Sequence, residues 1–187
     1  MSCALKLPSV LARPAPGSLP RVTDPGSTFL KLAGSLDYPL FIVTATDGQR
    51  REGCVIGFAT QSSFDPPRFL ACLSRENRTY RLALGVQALA VHLVPRSQAA
   101  LVKLFGGETG DEIDKFERCE WHEGPRGLPL LDGCPSWLVG EILARHDLGD
   151  HVGFLLAPSE VRYEPSDEEI VYFQEVKDEI EPGHPAT

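Results

Sequence analysis

Two turn signals divide the most apolar parts of this sequence into paired runs, and they restrict the fold more than any other feature. Asp47-Gly48 separates "YPLFIVTAT" from "EGCVIGFATQSS", and Leu148-Gly149-Asp150 separates "SWLVGEILARHD" from "HVGFLLAPSEVRY". Asp-Gly favours a tight connection between antiparallel strands. The flanking runs are rich in β-branched and aromatic residues, as strands are. "RFLACLS" and "QALAVHLVP" predict two further strands, and the unbroken apolar run of the first predicts burial on both faces. Helical segments are few and short. "STFLKLAGSL" has Ser27 or Thr28 as its cap, "NRTYRLALG" runs from a cap at Asn77 to Gly85, and "SQAALVKLFGG" starts from Ser97. Many strands with little helix between them predict a mostly β, antiparallel barrel rather than alternating βαβ units.

Length and charge narrow the class of function. At 187 residues the chain can bury one sizeable core. A net charge of -8 with scattered Lys and Arg disfavours nucleic acid as a partner. Five cysteines without a CxxC pair argue against a zinc knuckle or disulfide framework, predict no metal site, and fit a reducing, cytoplasmic setting. No run is long and apolar enough for a membrane helix, and Met1 to Pro20 lacks the pattern of a secretory leader. Pro14 to Gly26 is rich in Pro, Gly and Ser. The expected organisation is therefore a loose arm over residues 1–25, one domain over 26–165 and an acidic tail over 166–187, with "GETGDEIDKFE" as an acidic loop.

Three segments can carry chemistry. The first is Gly57 to Ser63, small and polar inside a strand-like run. A glycine there marks close approach by a ligand or another backbone, or a β-bulge. The second is "SRENRTY", where Asn77 and Thr79 open a helix among Arg75, Arg78 and Arg81. Free N–H groups and nearby cations can bind a phosphate, or can be an ordinary capped helix with solvated arginines. The third is "LGDHVGF", in which His151 follows a Gly-Asp turn. It can donate to a ligand or move a proton, or Asp150 and His151 can simply satisfy a hairpin. His92, inside "LAVHLV", reads as a core or interface histidine. No nucleophile elbow, zinc-protease helix or Walker loop occurs.

In their order and spacing, "YPLFIVTATDGQRREGCVIGFATQSSFDPPRFLACLSRENRTY", "LAVHLVP", "DKFE", "LPLLDGCPSWLVGEI" and "LGDHVGFLLAPSEV" resemble the flavin reductase-like, FMN-binding split-barrel family over about Ser27 to Arg162. The resemblance implies a Greek-key split barrel, homodimers with FMN at the subunit interface, NAD(P)H as electron donor, and a partner monooxygenase or small molecule as acceptor. It implies that Cys54, Val55, Ile56 and Gly57 lie along the flavin ring, with main-chain groups at its pyrimidine edge. Gln61, Ser62 and Ser63 would turn toward the ribityl chain, Ser74, Asn77, Arg78 and Thr79 would hold the phosphate, and His151 would stand on the nicotinamide side as the catalytic residue. Val55-Ile56-Gly57 departs from the family's usual Thr-Ala-Ser or Thr-Ala-Asn, His92 stands where Asn is common, and the C-terminus lacks a "GRYH"-like ending. A non-catalytic flavin-binding protein, a barrel using another donor such as a deazaflavin, and one acting on a pyridoxamine-like substrate remain alternatives.

Overall fold

The structure is a computed structural model and describes residues 24–107 and 113–178. Most of the expected arm, part of the expected acidic loop and the last nine residues lie outside the described residues. The chain divides into two compact units, 1–36 and 37–187. In the first, helix α1 spans Pro25–Ala33. Its cap is Asp24, not Ser27 or Thr28. The Asp24 carboxylate accepts from the N–H groups of Gly26 and Ser27, both at 3.1 Å, and Pro25 occupies the first turn, where no N–H is needed.

The second unit holds β1 (Phe41–Thr46), β2 (Arg51–Ile56), β3 (Ala59–Phe64), β4 (Pro67–Ser74), α2 (Arg78–Ala83), β5 (Ala88–Leu93), α3 (Ala99–Gly107), β6 (Trp121–Glu123), β7 (Pro129–Leu131), β8 (Trp137–Asp147), β9 (His151–Arg162) and α4 (Phe173–Val176). Seven strands form one antiparallel sheet in the order β2-β1-β5-β8-β9-β4-β3, and β6 and β7 form a small second sheet. Both hairpin turns are present, with Gly48 and Gly149 at φ +88° and +105°, which only glycine adopts freely.

The return strand expected after the first hairpin also needs correction. "EGCVIGFATQSS" is not a single return strand. It breaks at Gly57-Phe58 into β2 and β3, which sit at opposite ends of the sheet order. Two residues bridge only about 7 Å of extended chain, so the sheet must curl until its two ends meet. The Phe58 carbonyl fastens the meeting point by accepting from Cys72 N–H of β4 at 2.9 Å. The chain is mostly β, with a curled antiparallel sheet and few short helices, as expected.

The curl makes two cores. Phe41, Val43 and Ala45 of β1 alternate inward to meet Cys54, Ile56, Leu73, Leu89, Phe154 and Leu156, closed by Leu82 and Ala83 of α2. Ile42 faces outward to Val102 and Phe105 of α3, together with Val171 and Val176 from the C-terminal stretch. That stretch is tied by bridges from Tyr172 to Pro39 and from Ile170 to Pro95. β4 is buried only from Ala71 to Ser74, since its first half runs out beside the exposed β3. His92 is fully buried as a core histidine. Its Nε2 accepts from Leu131 N–H at 3.3 Å, so its Nδ1–H donates to Ile42 O at 3.0 Å, and desolvation holds its pKa down to about 4.

Candidate functional site

The register of the β1–β2 hairpin decides which main-chain groups are left for a ligand. Asp47 N–H donates to Arg50 O at 3.2 Å, which makes 47 and 50 a hydrogen-bonded pair. Antiparallel pairs alternate, so Glu52, Cys54 and Ile56 bond β1 while Arg51, Gly53 and Val55 turn their N–H and C=O groups to the outer edge of β2. Gly53 O bears this out, since it lies 3.5 Å from the Lys115 ammonium on that side. Among the expected ring contacts, Val55 therefore offers main-chain groups at the edge. Cys54 and Ile56 are committed to the ladder, and their side chains are buried in the inner core. Burial pushes the Cys54 thiol up to about 11.

Gly57 has a different neighbour from a ligand. A Cβ there would stand 2.2 Å from the Tyr38 ring. Tyr38 in turn stacks on Phe173 with centroids 4.9 Å apart and planes 11° apart. On β3, Gln61 and Ser62 are exposed and Ser63 half-buried, and the ladder with β4 slips between Gln61 and Ser63. A bulge is thus present at Ser62. Gln61 and Ser63 pair with Phe69 and Arg68 of β4, and Ser74 lies five residues, roughly 17 Å, beyond Phe69 along that strand. One chain does not bring them beside the helix start.

The remaining expected residues do converge. α2 opens at Arg78 after Asn77, whose side chain makes no capping bond. Thr79 is buried, and its hydroxyl turns inward to the Cys54 thiol. Ser74 is also buried, and its Oγ accepts from Glu76 N–H at 3.3 Å. Arg78 pairs with Glu52 at 3.0 Å and so ties the helix start to β2. Ser74 lies opposite His151 in the β4–β9 ladder. His151 Nδ1 meets Asp150 Oδ1 at 2.8 Å, and this contact lowers the Asp150 carboxyl pKa. The His151 ring stands 5.2 Å from that of Phe58, which is itself 5.9 Å from Tyr38.

Beside the outer edge of β2 lies a cleft of about 270 Å³ whose lining includes Arg51, Glu52, Gly53, Arg78, Asp114 and Lys115. Arg51 is braced over Phe116 and Trp121 at 5.6 and 5.0 Å and paired to Asp114 at 2.7 Å. Lys115 is buried, donating to Phe105 O at 3.0 Å. Sequence reasoning gave Arg51, Lys115, Tyr38 and Phe58 no role. For Lys115 a signal existed in "DKFE", where a lysine sits beside the aromatic Phe116 that anchors its turn in the core. Among the described residues no cluster of three or more His, Cys, Asp or Glu could hold a metal, and no helix is long and apolar enough to cross a membrane.

The sequence profile of the flavin reductase like domain matches residues 33–181. The chain belongs to that family. Among curated proteins, it is 29% identical over 127 residues to the high molecular weight rubredoxin of Moorella thermoacetica. The match takes in 67% of this chain and 56% of that protein, so the chain spans little more than half of that relative. It is 24% identical over 147 residues to the 4-hydroxyphenylacetate 3-monooxygenase reductase component of Salmonella typhimurium, with 78% of this chain and 86% of the relative covered. The fold matches the NADH:FAD oxidoreductase SgcE6 of Streptomyces globisporus with a TM-score of 0.73 at 22% identity, over 82% of this chain and 92% of that one.

Proposed function

We propose that this family member is an NAD(P)H-dependent flavin reductase that holds FMN along the outer edge of β2. The observation that carries the reading is the open edge at Val55, set between a cationic cleft and His151. A flavin's pyrimidine edge alternates donors and acceptors, and the N–H and C=O of Val55 are matching partners. The cleft begins at Gly53, two residues or about 7 Å along the same edge. There Arg51, Arg78 and Lys115 outnumber the two lining carboxylates, Asp114 and Glu52, that pair with the arginines, and this surplus of positive charge in a chain of net charge -8 suits a phosphate. Ser74, Asn77 and Thr79, around the start of the helix whose Arg78 lines the cleft, are assigned to the phosphate end. Thr79 contributes there through its main chain, because its hydroxyl is turned inward. Gln61, Ser62 and Ser63 are assigned to the ribityl side.

Bound flavin supplies an acceptor, N5, for the hydride from C4 of the nicotinamide. The protein's part is to fix the two rings face to face, exclude water and place His151 at the donor. The Salmonella relative's description as a monooxygenase reductase component supports a partner oxygenase as recipient of the reduced flavin. A cytoplasmic homodimer completes the proposal.

A second reading, a flavin carrier without reductase activity, is favoured by Val55 and Gly57, which stand where the resemblance expects Thr and Ser or Asn and so offer no polar side chain beside the ring. Spectra and titration of the purified protein, followed by steady-state NADH and NADPH oxidation, decide between them. The reductase reading expects flavin-dependent oxidation and tighter binding of FMN than of riboflavin. Equal affinity for the two removes the phosphate site. Binding without oxidation of either donor establishes the carrier.

A further inference from the structure

We propose that Phe58 is the platform on which the nicotinamide ring of the donor is stacked, with His151 at its rim; this rests on the flavin reductase reading above. Phe58 lies in the two-residue link where the ends of the sheet meet, and the residue is 55% exposed. A single exposed Phe is ordinary on a protein surface. This one is held in place from several sides. Its carbonyl is taken by Cys72 N–H at 2.9 Å, and the Gly57 carbonyl before it by Ala59 N–H at 3.0 Å. Its ring leans on Tyr38 at 5.9 Å and 53° and on His151 at 5.2 Å and 60°. Tyr38 is in turn backed by Phe173, so four rings form a row that ends at the histidine.

The chemistry at the end of this row selects its ligand. With its carbonyl already bonded, Phe58 presents a ring face and no main-chain acceptor. It therefore suits the flat face of a ring rather than the polar edge of a flavin, which Val55 can read. His151 gives Nδ1 to Asp150, so Nε2 is the nitrogen with which it can meet a ligand. A planar ring carrying one hydrogen-bonding substituent satisfies both, and a nicotinamide with its carboxamide is such a ring. Aromatic pairs at such separations prefer offset or tilted stacking and gain beyond the area they bury.

The test uses flavin-loaded protein and three measurements: flavin affinity by fluorescence quenching, NAD⁺ and NADP⁺ affinity by calorimetry, and steady-state oxidation of the reduced donors. Phe58→Ala is expected to weaken binding of the oxidised dinucleotide about tenfold and to raise the donor KM to match, with kcat and flavin affinity within about twofold. Phe58→Tyr is expected to restore the parent values, which a merely structural role would not require. Unchanged dinucleotide affinity in Phe58→Ala overturns the proposal. So does loss of flavin affinity with an unchanged KM, because Phe58 would then lie against the flavin. Failure of the parent protein to bind any flavin would instead defeat the reading on which the proposal rests.

Discussion

At the scale of single residues, His151 drew its assignment from the family resemblance, because a histidine after a Gly-Asp turn can equally brace the hairpin, and its Nδ1 does meet Asp150. The fold puts it opposite Ser74 and beside Phe58. His151→Ala is expected to slow hydride transfer by about 10²–10⁴-fold while FMN binding holds, the usual loss for one positioning or proton-donating group. Stopped-flow reduction of the FMN-loaded variant measures this, and a melting curve accompanies it. Reduction at the parent rate with a lowered Tm would reduce His151 to a brace for the Gly149-Asp150 turn. Thr79 was less legible. Its place after a strand end resembles a phosphate ligand, yet the hydroxyl turns to Cys54. Nothing local distinguishes an inward from an outward Thr at the start of a helix. Only the partner strand, 25 residues earlier, settles it.

At the scale of elements, the two hairpins, helices α1 to α3 and the strand β5 were readable because turn chemistry and apolar runs are local, although Ser97, read as the cap of α3, lies in a 3₁₀ turn over Arg96–Gln98 and α3 starts only at Ala99. The break between β2 and β3 was not. Gly57-Phe58 carries no proline and no turn dipeptide, and what parts the two strands is closure of the whole sheet, a tertiary cause. The sequence likewise showed that a side chain was missing at Gly57 but not what fills the space. Tyr38 fills it, from 19 residues upstream. Gly57→Ala would put a methyl into that ring and is expected to cost about 1–3 kcal/mol, as overpacking does. The same substitution in a Tyr38→Ala background should be nearly neutral, because the obstructing ring is gone. Urea unfolding of the four proteins measures the coupling. Additive costs would show that Tyr38 is not what requires glycine here.

At the scale of the whole molecule, the barrel unit leaves several large apolar side chains in water. Phe64 is 87% exposed, Tyr163 72% and Val161 64%, with Leu84, Leu143 and Leu148 about half exposed. β3 adds an uncovered sheet edge, bulged at Ser62, of the kind that pairs or is covered in a stable protein. A stable interface buries about 800 Å² on each partner, which several such side chains with their surrounding polar rim can supply. Gln61, Ser62 and Ser63 point the same way. They sit roughly 17 Å along β4 from Ser74, and in the proposed dimer the β3 edge of one chain would reach the flavin held at its partner's helix start. The expected assembly is a homodimer, seen by light scattering as twice the 20.5 kDa chain mass. Phe64→Glu places a charge at the exposed end of β3. It should shift the equilibrium toward monomer and weaken FMN in step, while circular dichroism stays that of the parent. A 20.5 kDa species that binds FMN as tightly as any dimer would show that one chain makes the whole site. In that event the exposed Phe64 and Tyr163 would need a different partner.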